Sequence, residues 1–160
     1  MTTVEKYPLE KRKIIKKTVK ATFFMYILFL IGPLWANLLL WNLYQTPLII
    51  LDILFLLFPL IDWIYQREYY KKYFYDIRND FLVIKKGVIT PTETILPYDK
   101  LQDVYVDQDI FDRAFKLYDV HVSTATVMSG IQAHIDGVNK ENGQLFREMI
   151  LKNIQSHHKK

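Results

Sequence analysis

Ile84-Lys-Lys-Gly-Val-Ile-Thr-Pro-Thr-Glu-Thr-Ile-Leu-Pro-Tyr98, or IKKGVITPTETILPY, admits two readings, and the fold turns on which is right. Its Lys-Lys-Gly and neighbouring hydroxyls are ingredients of a phosphate-binding loop. Its apolar alternation, broken by Gly87 and Pro91, is equally the corner of a small β-domain. A phosphate loop of the Walker type needs an earlier Gly, a Gly-Lys-Ser/Thr and a helix to follow, and none of these is here. The β reading agrees with both flanks. Upstream, Tyr73–Arg78 is aromatic and β-branched, Asn79-Asp80 is turn chemistry, and Phe81–Lys86 alternates again, which predicts a β-hairpin. Gly87 breaks the run, Val88–Thr90 is expected to resume it, and Thr90-Pro-Thr92 to turn the chain before Glu93–Leu96.

Downstream the same period continues. Leu101–Gln108 puts Val104 and Val106 on one face and Asp103, Tyr105 and Asp107 on the other. Asp109 is placed to cap a short helix over Ile110–Lys116. Leu117–Thr124 alternates, Ser129-Gly130 reads as a turn, and Ile131–Ile135 as a short strand. Val138–Gln155 carries Val138, Leu145, Phe146, Met149, Ile150 and Ile154 at helical spacing. About six strands and one amphipathic helix predict a bent sheet or barrel plugged at one end by that helix.

Upstream of residue 66 the composition changes. Ala21–Tyr65 holds no Lys or Arg, and its only acids are Asp52 and Asp62. Residues 21–44 and 47–65 are each about long enough to cross a hydrocarbon core of roughly 30 Å, with only Gln45 and Thr46 between them. Pro47 suits the first turn of the second helix. Trp41, Tyr44, Trp63, Tyr65, Tyr69 and Tyr70 gather where interfaces would fall. The first run is too long for a cleaved signal peptide and ends in no small-residue cleavage site. The first twenty residues carry seven basic groups against two acidic ones, and Arg67, Lys71 and Lys72 flank the far end. Basic residues at both outer ends predict two spans, both termini cytoplasmic and the turn outside, in the cell membrane.

The resulting expectation is a membrane-anchored α+β chain. A basic cytoplasmic arm over residues 1–20 precedes transmembrane helices at 21–44 and 47–65, a domain at 68–155, and a flexible tail at 156–160. Within the spans Asn37, Asp52 and Asp62 are the polar residues of interest. Asp62 can reach the interface. Asp52 lies deeper and is expected to be protonated, or to pair with Asn37 across the hairpin or with another subunit; an interhelical hydrogen bond is favoured over a proton or ion site.

One ordered set of residues carries a family resemblance. Tyr75 and Leu82, Lys86-Gly87-Val88-Ile89, Leu96-Pro97-Tyr98, Leu101-Gln-x-Val104, Asp107-Gln108, Arg113-x-Phe115 and Val120-x-Val-x-Thr124-Ala125 together resemble the bacterial pleckstrin-homology (bPH) family. With two spans ahead of them, the chain is similar to its membrane-anchored YdbS-like members. The resemblance implies a seven-stranded PH-like β-barrel or β-roll capped by a C-terminal helix, and no enzymatic activity. It also marks a departure, because Lys116 stands where the family often has Gly.

No residue set suggests catalysis or a metal. Cysteine is absent, which excludes disulfides, thiolate nucleophiles and zinc-thiolate sites. Ser123, Thr124 and Ser129 lack a nucleophile-elbow context. Asp99, Asp103, Asp107, Asp109 and Asp112 lack the calcium-loop pattern and read as a polar strand face with a helix cap. His121 and His134 are expected to be neighbours on adjacent strands, without a third placed ligand. No cofactor is expected. Candidate lipid-headgroup contacts are Lys11, Arg12, Lys13, Lys16, Lys17 and Lys20 on the arm, and Lys85 and Lys86 on the hairpin, each contributing on the order of 1 kcal/mol near an anionic surface. Expected partners are the bilayer itself, anionic lipids, and further copies or another bPH protein, rather than nucleic acid. The expected function is to present the domain to the cytoplasm for protein contact or self-association; the alternative is a lipid- or small-molecule-sensing subunit.

Overall fold

The computed structural model describes residues 2–124 and 133–158. The chain divides into two compact units, Met1–Lys13 with Tyr69–Lys160, and Ile14–Glu68.

The second unit is a helical hairpin. Helix α2 (Arg12–Ile31) gives way at Gly32 to α3 (Pro33–Leu40), and after a turn at 41–44 the chain enters α4 (Gln45–Lys72). The break has a local cause, because Pro33 has no N–H to continue the ladder and disfavours helical backbone in the residue before it. The turn comes earlier than expected: Leu43 and Tyr44 donate their N–H groups to the Leu40 carbonyl, so residues 41–44 make the reversal, and Gln45 and Thr46 already belong to α4. Pro47 does fall in the first turn of α4. Along the hairpin the Phe29 and Phe55 rings meet edge-on at 4.6 Å. Arg12–Leu40 and Gln45–Lys72 are each long and apolar enough to cross a membrane, and almost none of the residues in their most apolar stretches is buried.

The other unit holds two three-stranded antiparallel sheets. The first has the order β1 (Phe74–Ile77), β2 (Phe81–Lys86), β3 (Thr92–Pro97), and the second β4 (Leu101–Asp107), β5 (Tyr118–Thr124), β6 (His134–Val138). Ile77 pairs with Leu82 across the Asn79-Asp80 turn, and Lys86 with Thr92 across a loop of residues 87–91. Val88–Thr90 therefore bends instead of extending a strand. Gly87 forces this, with φ 111° and a hypothetical Cβ only 2.3 Å from the Thr90 carbonyl oxygen.

Between the sheets Pro97 and a single 3-10 turn (Tyr98–Lys100) redirect the chain. No ladder joins β3 to β4, so among the described residues there is no closed barrel and there are six strands rather than seven. The expected turn at Ser129-Gly130, the strand start at Ile131 and Ala125 of the family pattern lie outside the described residues, as do Lys159 and Lys160 of the tail. What is described of the last strand begins at His134 and includes Val138, and the C-terminal helix α6 (Lys140–His158) starts after it.

Helix α6 packs on β1, β4, β5 and the 3-10 turn, so it bridges both sheets. Phe146, Ile150 and Ile154 on one helical face meet Tyr75, Leu82, Ile84, Tyr98, Val104 and Val120 in one core. Helix α5 (Ile110–Phe115) is the short helix foreseen, with Asp109 and Asp112 capping reciprocally.

The N-terminal arm is not an arm. Residues 2–13, with the one-turn helix α1 (Thr3–Lys6), pack beside β1 and contribute to the core. The Thr3 N–H and hydroxyl both donate to Asp76, and the Thr3 hydroxyl oxygen accepts the Ile77 N–H, so β1's outer edge is covered. Leu9 is buried among the core residues, and the Tyr7 ring lies 5.8 Å from Phe146. Composition marked this segment as a charged tail, yet its apolar residues Val4, Tyr7 and Leu9 are what dock it.

Candidate functional site

The basic residues singled out in the sequence separate into three groups. Lys11 and Arg12 are exposed, with Arg12 held 3.2 Å from Glu10. Lys17 and Lys20 are half-buried. Lys13 and Lys16 are only 1% and 3% exposed, which withdraws both from the set of headgroup contacts. Lys13 has a structural role. Its Nζ lies 3.4 Å from Asp136 Oδ2, donates to the Asp136 carbonyl at 2.8 Å, and sits 3.7 Å above the Tyr73 ring. Gly137 makes room for it, since a Cβ there would fall within 2.9 Å of three Lys13 carbons. Beside this ion pair the Tyr73 hydroxyl is pushed well above its ordinary pKa by burial and then by the Asp136 charge.

At the β2–β3 loop, Lys85 pairs with Glu93 at 3.1 Å and Lys86 is half-buried. Lys72 joins them, with its Nζ 3.5 Å from the Val88 carbonyl oxygen, around an open hollow of about 400 Å³. Arg78 is not part of this group; its Nε is 2.9 Å from Asp76. Burial alone would raise the Asp76 pKa, but hydrogen bonds from Arg78 and Thr3 outweigh it and hold the carboxyl below its ordinary value.

Inside the hairpin, the Asn37 amide donates to Asp52 Oδ1 at 3.0 Å, so two of the three polar residues of interest meet across it. The third, Asp62, accepts from Gln66 one turn along its own helix. Asp62 Oδ2 and the hydroxyl oxygens of Thr18 and Thr22 are buried without a hydrogen-bond partner among the described residues. His121 and His134 are register partners on β5 and β6 with rings 5.4 Å apart. His121 also stacks on Tyr105 at 4.9 Å and lies 3.2 Å from Asp107. Among the described residues no group of three or more acids or histidines is placed to hold a metal ion.

One concavity was missed by the sequence reading. Between β4, the start of β5, α5 and the first turns of α6 lies an open cavity of about 580 Å³ lined by Arg113, Lys140 and Arg147. Close packing builds it. At Gly143 α6 lies against Val106 and Tyr118, close enough that an added Cβ would make ordinary van der Waals contact with their side chains at 3.5–3.6 Å. That sets Lys140, Gln144 and Arg147, one helical stripe, beside Tyr105 and Tyr118. A signal did exist: neither Lys140 nor Arg147 has an acid three or four residues away on its own helix.

The chain matches the family described as Bacterial PH domain over residues 19–154. That stretch takes in most of α2, all of α3 and α4, and every described strand. No curated protein and no solved structure matches it.

Proposed function

The chain belongs to the Bacterial PH domain family, and from that premise we propose that it is a non-enzymatic, membrane-anchored protein of the YdbS-like type, presenting its PH-like unit to the cytoplasm for contact with proteins, foremost with further copies of itself. The observation that carries this reading is the uncovered apolar surface of Arg12–Leu40 and Gln45–Lys72. In water such a surface is untenable at this size; in hydrocarbon it is the favourable state.

Co-folding of the two ends supports the topology. Residues 2–13 and 69–158 share one core, so a spanning hairpin leaves them on the same side of the bilayer. The basic residues before and after the hairpin support the cytoplasm as that side. Self-association is supported by the first sheet's free edge. Strand β3 has no further strand beside it among the described residues, and Ile95 on it and Ile89 in the preceding loop are 55% and 84% exposed. An open edge with apolar side chains recruits another chain. Anionic lipid is the second partner, through Lys11, Arg12, Lys17 and Lys20 with Lys85 and Lys86.

Two measurements test the proposal. Ser156→Cys in membranes of intact cells should react only with reagents that cross the membrane; reaction with an impermeant reagent from outside would overturn the topology. In neutral detergent without added lipid, light scattering should show an oligomer that Ile95→Lys dissociates. A monomeric wild-type protein would sink self-association.

A further inference from the structure

The cavity lined by Arg113, Lys140 and Arg147 serves neither anchoring nor edge pairing, and its chemistry is one-sided. Among the described residues none of the three cations has a carboxylate within 4 Å, and the hydroxyls of Tyr105 and Tyr118 and the amide of Gln144 make no hydrogen bond. Asp107 is the acid of the lining, and it faces His121 at 3.2 Å. Three unpaired cations on α5 and α6 thus converge on one hollow, which balanced surfaces of this otherwise near-neutral unit do not do. The hollow's volume is within the usual range for small-ligand sites. Guanidinium forks match phosphate oxygens in pairs, an ammonium adds a point charge, and phenol hydroxyls donate to remaining oxygens.

We propose that this cavity, on the second sheet and α6 and apart from the lysines of the β2–β3 loop, is a binding site for a small phosphate-bearing anion with at least two negative charges. A monocarboxylate leaves most of these donors unused. A nucleic acid or acidic peptide calls for a stripe of cations rather than one concavity. A phosphomonoester or pyrophosphate group satisfies the set. Such a group arrives either on a soluble metabolite or on a lipid head, and the cavity's donors are the same for both.

The test uses the full-length protein in neutral detergent, titrated calorimetrically in two arms, with inorganic pyrophosphate and with short-chain phosphatidate. Binding is expected in at least one arm. Arg113→Gln and Arg147→Gln should each weaken it on the order of tenfold, as expected for a lost charge-assisted contact. Lys85→Gln should leave it unchanged. Asp107→Asn should tighten it, an effect that a folding defect cannot mimic. Tighter binding of pyrophosphate assigns the site to soluble phosphates, and tighter binding of phosphatidate assigns it to a headgroup. Binding in neither arm, or binding that Arg113→Gln and Arg147→Gln do not weaken while Asp107→Asn does not tighten it, overturns the proposal.

Discussion

Taking an ammonium out of water costs several kcal/mol unless a counter-charge and hydrogen bonds replace the lost hydration. Lys13 receives a carboxylate, a carbonyl and an aromatic face, all from Asp136 and Tyr73 of its own unit. Lys13→Ala removes the Lys13 ammonium from beside buried Asp136 and should cost about 3–5 kcal/mol, measured by thermal unfolding in detergent. Adding Asp136→Asn should recover part of that loss, since the two residues couple. Gly137→Ala should cost about 1–3 kcal/mol, because its Cβ collides with Lys13 and its φ of 81° strains any side chain. Lys116 provides the opposite case. It caps α5 in the left-handed conformation at φ 54°, where glycine is the favoured residue. Lys116→Gly should therefore stabilise by about 0.5–1 kcal/mol in the same assay. The departure at 116 was visible in the sequence; its conformational meaning came from the backbone.

For whole elements, reliability followed how local the cause was. The Asn79-Asp80 hairpin, the Asp109 cap and the alternation of β4 rest on neighbours in sequence, and all three stand as read. Val88–Thr90 failed as a strand because the close approach of Gly87 to Thr90 is a feature of the folded loop. In the hairpin, Asn37 and Asp52 meet as one of the expected alternatives. Asp52→Ala should loosen the helix pair by about 0.6–2 kcal/mol in denaturation by a harsh detergent, and Asp52→Asn by less, because an amide still accepts from Asn37. Equal losses would instead point to a role for the charge. Docking of residues 2–13 is tied to pH through Asp76. Its folded pKa lies below the unfolded value of about 3.9. The carboxylate thus contributes stability above about pH 4, and this is lost as pH falls through the folded pKa. Proteolysis near Tyr7 should accelerate in that acid range, and Asp76→Asn should flatten the dependence.

For the molecule as a whole, a fragment of residues 69–160 lacks Tyr7, Leu9 and Lys13 and leaves β1's edge open. Such a fragment should bind hydrophobic dyes and aggregate, and one that also carries residues 1–13 joined by a flexible linker should not. Composition and periodicity alone determined the two apolar helices, the run of short alternating strands and the amphipathic last helix, since each follows from side-chain order within a window. The family resemblance joined them into a PH-like unit. Only the tertiary structure decided that the basic N-terminus is part of the core, that among the described residues the sheets do not close into a barrel, and that Arg113, Lys140 and Arg147 share a cavity. These depend on contacts between residues far apart in the chain, as between Lys13 and Asp136 or Thr3 and Asp76. A count of charges over residues 1–20 cannot say which lysine finds a buried partner. IKKGVITPTETILPY divides the same way: that it is a β-corner and not a phosphate loop was legible in the chain, because the Walker pattern is a matter of residue order, whereas the bend at 88–90 was decided by the close approach of Gly87 to Thr90 in the folded loop.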